Sequence, residues 1–400
     1  MAIIFEGDAS LTAQIDTLTP GGTIEVGDEF DSILTAEDNS TVQTEKYIAT
    51  STSVQSVVEG VQAQLAASTK SLFQVITWTE NDLVVTATAK VAGVPFYLTE
   101  ATFESGGGAA DQQTYAQATT TANSGPNDWN AGANWSGGSK PGAQEDVIIA
   151  GTNVDIKYGL NQSGVDIDSL SIAPSYGGEI GDSVNKYYLQ INVSNASPQL
   201  VIINNVNGRP IWLKGRLDKI NIVGTSRELN AVQLDLDAGT SEIVRISGAQ
   251  VLGTITVKSS SSLTSLYMND CPGAKGVLGT SLSGLTLIEM SSGTLTNDSL
   301  CTTINVAGGN YKHTAGAVST LTLRGGVVDY RGAGTITALL IQTGHFDLDN
   351  LEVVSLTITN TTLWGGLLTE RNGLNNVTYS NPILAHGGTV ISPTADVNAF

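Results

Sequence analysis

From residue 288 onward, apolar positions recur in short bursts on a regular step. Ile288-Glu-Met, Ile304-Asn-Val, Leu321-Thr-Leu, Leu339-Leu-Ile and Leu356-Thr-Ile each set an apolar-x-apolar pair ahead of a small residue. Those small residues are Gly293, Gly309, Gly326, Gly344 and Thr361. The starts advance by 16, 17, 18 and 17 residues, and the small residue always stands five positions after the first apolar one. A second short apolar run follows, as at 327–330, 345–348 and 362–364. Alternation of period two predicts strands. Two or three such strands per repeat, with glycine at a fixed corner, predict a parallel β-solenoid whose coils pair one another's edges. Segments 200–203, 219–223, 242–246 and 265–268 fit longer, less regular coils of the same rod.

The first hundred residues read differently. Val54, Val57, Val58, Val61 and Leu65 recur at helical spacing, behind Thr52-Ser-Val-Gln55, which has the form of a capping box. Strands are predicted at 23–26, 46–50, 72–79, 83–89 and 95–99, with Glu80-Asn-Asp82 as a hairpin turn. Residues 105–128, rich in Gly, Ala, Thr and Gln without apolar periodicity, read as a linker. The segment from Trp129 to Pro141 carries two tryptophans six apart ahead of the strand Asp146-Val-Ile-Ile. These rings suit a plug for the open end of a stacked core; a sugar-stacking pair is the alternative. The expectation is a mainly β protein: a small N-terminal α+β domain (1–104), a linker (105–128), and a parallel β-solenoid, or β-helix, with a Trp-rich cap (129–400).

Composition sharpens this. Charged residues make up only 14% of 400, and there are 44 glycines, against roughly 25% charged and ~7% glycine in ordinary globular proteins. The net charge is −20, but residues 1–120 hold sixteen acids and three bases, leaving −7 on the remainder. So few bases disfavour a nucleic-acid partner, because phosphate affinity comes from Lys and Arg. No run of about 18 apolar residues predicts a membrane span. The start, with Glu6 and Asp8 and no basic region, does not resemble a secretory signal, which points to assembly inside a cell. Cys271 and Cys301 form no CxxC pair and read as buried free thiols.

Three strand segments place acids two apart: Asp166/Asp168, Asp235/Asp237 and Asp347/Asp349. Alternation sets each pair on one face, about 6.5–7 Å apart at Cα, near the separation inverting glycosidases use. The simpler reading turns Ile167, Leu236 and Leu348 inward and leaves the acids to solvate the rod. Lys312, Asp329 and Asp347 stack in one outward column, with Lys312 and Asp329 a candidate surface pair. In the repeat frame His345 shares the position of Asn310 and Val327, and His313 that of Tyr330 and Leu348. They do not converge on a zinc site. With no nucleophile elbow, P-loop or dinucleotide fingerprint, no catalytic, cofactor-binding or metal-binding residue is assigned.

Several segments resemble virion proteins of tailed bacteriophages: Thr77-Trp-Thr, Val84-Val-Thr-Ala-Thr-Ala, Ala92-Gly-Val-Pro-Phe96, Ser124-Gly-Pro-Asn-Asp-Trp129, Ala133-Asn-Trp-Ser-Gly-Gly, and the Leu321–Gly326 coil. The resemblance covers most of the chain and includes capsid decoration (cement) and fibre or spike proteins. It implies a non-enzymatic structural role in the virion, assembled in host cytoplasm. It also implies contact with the major capsid protein and self-association, as a homotrimer. In the alternative, a tail spike or fibre, the partner is a host-surface glycan. No active-site motif of that group matches here.

Overall fold

The computed structural model describes all residues except 1, 38, 82, 105–111, 194–199, 237–239, 260–261, 281, 350–354, 371–376 and 400. The chain is mainly β, with a parallel solenoid of about ten coils behind a small N-terminal α+β region. Two long parallel sheets form the walls of the rod, and successive coils add alternately to each. Down one wall the in-register inward positions are Val147, Leu170, Val201, Ile220, Val244, Leu266, Ile288, Ile304, Leu321 and Leu339. These side chains are buried and belong to one continuous hydrophobic core. Outward positions alternate with them, so a slip of one residue would expose the whole inward set.

The sequence repeat holds through Leu339 and then changes frame. Leu339 lies opposite Thr361, not Leu356, and Ile341 opposite Leu363. Leu356 and Ile358 instead face Gly334 and Ile336, on an upstream extension of the eight-residue strand Leu356–Leu363. The small corner residue of that coil is therefore Gly366 (φ +83°), not Thr361, and the strand that follows is Leu367–Thr369 rather than 362–364. Leu356-Thr-Ile copies the motif's chemistry but occupies the position before it.

The N-terminal region has its own core, built on the helix Val54–Ala66 with Val57, Val58, Val61 and Leu65 buried. Ser53 occupies the N-cap with no side-chain cap bond, and Gln55 donates to Glu59 (3.1 Å), so the expected capping box is not formed. The expected strand 72–79 begins with a helical turn, Ser71–Gln74, which drives Phe73 into the core to stack on Trp78. The strand itself runs Ile76–Asn81 and pairs antiparallel with Val84–Ala89. Strands expected at 23–26, 46–50 and 95–99 lie instead at Ile15–Gly22, Val42–Ile48 and Tyr97–Phe103.

The linker reading of 105–128 also needs correction: 105–111 lie outside the described residues, but Gln113–Thr121 is a strand along Ile15–Gly22. Only Gln113 and Tyr115 turn inward from it, too few to register as apolar periodicity. The two regions are also interwoven, because Ile3–Phe5 pairs in parallel with Asp146–Ile149 and forms the first rung of a solenoid wall.

Candidate functional site

The tryptophans form the plug that their spacing predicts. Trp129 and Trp135 are buried and pack edge-on at 4.6 Å, with Phe5 of the first rung 5.2 Å from Trp135. The Trp135 indole donates to the Trp129 carbonyl (2.8 Å). Neither ring is available to stack on a sugar.

The three carboxylate pairs are spread along the rod. Ile167, Leu236 and Leu348 are buried, as expected, and the three pairs sit on different coils. Asp235 lies in register between Lys214 and Lys258, with the Lys214 ammonium at 3.9 Å; Asp237 is outside the described residues. The Asp347 carboxylate accepts from the Asp349 amide (2.8 Å) and the Thr369 hydroxyl (3.2 Å). The outward column is real, since Lys312 faces Asp329 and Asp329 faces Asp347. The ion pair, however, is made by Arg331, whose guanidinium reaches Asp329 at 2.7 Å from two residues along the chain. A groove of about 370 Å³ beside Thr286, Leu300, Thr302, Ser319 and Thr335 presents mainly hydroxyls and aliphatic carbon.

Both cysteines are buried and unbridged. Burial pushes the Cys301 thiol up to about 12 and raises Cys271 as well, which makes them poor nucleophiles. Among the described residues, no three of His, Cys, Asp and Glu group closely enough to hold a metal ion.

The unexpected chemistry is inside the rod. On the second wall the inward column runs Leu213, Leu234, Val257, Leu278, then Asn297, His313 and Tyr330. His313 is fully buried and stacks on Tyr330 at 4.9 Å. Its Nε2 lies 3.2 Å from the Gly316 carbonyl, which can only accept, so Nε2 carries the proton. Nδ1 is then the acceptor, facing the Tyr311 hydroxyl at 3.0 Å and the Asn297 amide at 3.3 Å. Asn297 donates to the Ser299 carbonyl and accepts from its amide, while Tyr330 donates to Gly316. The cluster is satisfied by the neutral imidazole, and burial pushes His313 down to about 4. The repeat frame put His313 on the inward column. Its partner Asn297 belongs to the preceding coil and became visible only in the structure.

The second buried acid–base feature joins the two regions. Glu37, from the turn after Glu29–Thr35, accepts the Leu160 amide of the solenoid at 2.6 Å. The Tyr97 hydroxyl and the Gly159 amide also bond to this carboxyl. Asp128 stands nearby, held by the Asn123 amide (2.6 Å) and the Asn130 backbone (2.8 Å). A cavity of about 90 Å³, lined by Leu34, Glu37, Phe96, Tyr97 and Tyr158, lies beside this contact. Desolvation, with Asp128 adding repulsion, raises the Glu37 carboxyl to about 7. An unfolded glutamate titrates near 4.5, so between 4.5 and 7 the folded chain alone retains the proton. Stability from this group is complete below 4.5 and is lost as pH rises through 7. Glu37→Gln keeps an acceptor for Leu160 without the charge. It is expected to match the wild type at pH 5 and to melt several degrees higher at pH 8, as differential scanning calorimetry would show.

No protein-family model, curated protein or solved structure matches this chain. The fold and these contacts define it as a capped parallel β-solenoid carrying a latched α+β domain.

Proposed function

We propose that the protein is a non-enzymatic structural component of a bacteriophage particle, a capsid decoration or cement protein seated on the outer face of the head. The reading rests on the resemblance of the segments around Trp78, Trp129 and Leu321 to tailed-phage virion proteins. The architecture supports it. A rod whose coils hide one another's strand edges, closed at one end by an aromatic plug, suits a rigid exterior part. The distribution of exposed apolar side chains supports the N-terminal region as the anchor. Val26, Val42, Ile48, Leu83, Val91 and Phe103 are each more than half exposed within the first 103 residues. Val42 and Ile48 lie on one edge strand of a three-stranded sheet and Phe103 on the other. That face would meet the major capsid protein, with the solenoid projecting and copies associating as a trimer.

Cryo-electron microscopy of purified particles tests this directly. Density repeated over the whole head is expected, and density confined to the tail tip would replace this reading with a spike or fibre. Ile48→Asp combined with Phe103→Asp is expected to lower occupancy on heads by at least tenfold in a co-sedimentation assay. Both side chains are exposed, so the melting temperature should barely move.

A further inference from the structure

The N-terminal region holds an apolar cavity of about 230 Å³, walled by Val75, Ala89, Val91, Val94, Pro95 and Phe96. Lys90 and Gln74 are its polar lining residues. Val75 and Val91, 50% and 60% exposed, mark the side open to water. The walls are tied to one another. The Lys90 amide donates to the Val75 carbonyl (3.0 Å), and the Lys90 ammonium to the Gln74 carbonyl (2.6 Å). The buried Gln14 carboxamide brackets the Phe96 main chain, donating to its carbonyl (2.9 Å) and accepting its amide (3.1 Å). Asp16 in turn accepts the Gln14 amide on both carboxylate oxygens at 3.1 Å. A hollow held this way is preformed, which spares a ligand the cost of ordering it. The smaller cavity beside Glu37 shares Val75, Pro95 and Phe96 with this one, but Glu37 lines only the smaller and Lys90 only the larger.

Lys90 differs from the other cations around it. Residues 1–120 hold three bases among sixteen acids. Lys46 pairs with Glu29, and Lys70 with Glu45 at 3.2 Å. Lys90 makes no ion pair among the described residues, and the Gln74 carbonyl takes one of its three N–H donors. The other two stand exposed beside apolar carbon. That pairing of groups matches an amphiphile with one anionic head and an aliphatic tail. The volume is below the roughly 300–1,000 Å³ of drug-sized sites, so the tail is short. A peptide C-terminus offers the same head but fits less well, because its amide groups need partners inside the hollow. The Lys90 and Val94 amides already bond to the Val75 and Val91 carbonyls, and an amide buried unpaired is costly. The net charge of −20 is little obstacle to a contact this close, since physiological salt screens charges beyond about 8 Å.

We infer that this cavity is a binding site for a medium-chain aliphatic monocarboxylate, its head paired with the Lys90 ammonium and its chain laid against Val75, Val91, Val94 and Phe96. The site does not depend on the protein's belonging to a particle.

Isothermal titration calorimetry of the full chain with butanoate, hexanoate, octanoate, 1-octanol and octylamine tests this. One octanoate per chain is expected, with affinity rising by up to about fourfold per methylene along the carboxylate series. Lys90→Met keeps the stem without the charge, and should weaken octanoate about tenfold or more while leaving 1-octanol unchanged. Val91→Asp should weaken both ligands. Lys90 and Val91 are exposed, so neither substitution should move the melting temperature appreciably. Four outcomes would overturn the inference: no saturable heat with octanoate, an affinity indifferent to chain length, equal affinity in Lys90→Met, or octylamine binding as tightly as octanoate. A short peptide ending in leucine supplies the remaining arm. If it binds more tightly than octanoate and with the same dependence on Lys90, the cavity belongs to a protein C-terminus instead.

Discussion

Gly326→Ala is expected to destabilise the solenoid by upwards of about 4 kcal/mol, a loss seen only where backbone or core is forced apart. Gly326 sits at φ +77°, and a Cβ there would lie 2.3 Å from the Gly309 carbonyl oxygen of the coil below. That oxygen cannot retreat, because it accepts the Val327 amide at 2.9 Å as part of the inter-coil ladder. The same geometry repeats at Gly344, Gly366 and Gly388, each Cβ meeting the carbonyl of the preceding glycine at 2.5–2.7 Å. The corners thus stack as a column in which each residue is the floor for the next. Gly138 provides the control. It has a similar φ of +71°, but its Cβ would meet nothing within 4 Å. Gly138→Ala should therefore cost only the backbone term, about 1–2 kcal/mol. Urea unfolding of the two variants separates conformational strain from collision; equal losses would mean that coil spacing relaxes freely at the corner.

Lowering the pH from 6.5 to 4 is expected to remove up to about 3 kcal/mol through His313 alone. The folded imidazole titrates at about 4 and an unfolded one at its ordinary 6.5. Above 6.5 both states are neutral and the contribution is constant. Between 6.5 and 4 only the unfolded chain takes the proton, so stability falls with pH across that window and levels off below it. The geometric cause is specific. Protonated Nδ1 would point a donor at the Tyr311 hydroxyl and the Asn297 amide in a fully buried site, where the added charge loses its hydration. Glu37 has the opposite sign between 4.5 and 7, so the test uses the Glu37→Gln background. There, wild-type His313 should show the acid-side slope in denaturant titrations. His313→Phe should shift the whole curve, because Asn297 loses a partner, but should flatten that slope. A slope unchanged by the substitution would assign the acid sensitivity elsewhere.

The solenoid was legible from residue 288 to Leu339 because its coils are nearly uniform, so one frame carried the apolar pairs, corner glycines and inward histidine together. Legibility failed at Leu356, where a chemically correct motif sits five residues ahead of Thr361, the residue in register with Leu339. It failed again at Gln113–Thr121, where a strand with two inward side chains reads as linker. Both failures have one origin: a strand is defined by what it pairs with, and pairing partners are not neighbours in sequence. The candidate chemistry divides in the same way. The inward placement of Ile167, Leu236 and Leu348 between the paired acids was legible, because alternation is local. The cationic partner of Asp329 was misread, because Arg331 reaches its carboxylate from two residues along the same strand end, at 2.7 Å.

The sequence by itself determined that this chain is a weakly charged stack of β coils behind an acidic α+β region, because periodicity, glycine spacing and charge distribution are properties of the order of residues. Only the tertiary structure decided that Ile3–Phe5 begins the rod and that Glu37 joins the two regions. It alone set Asn297 against His313, and it alone left Trp364, of five tryptophans, facing water. Those facts rest on contacts between residues far apart in the chain or on different coils, and burial and hydrogen bonding act on distance in space.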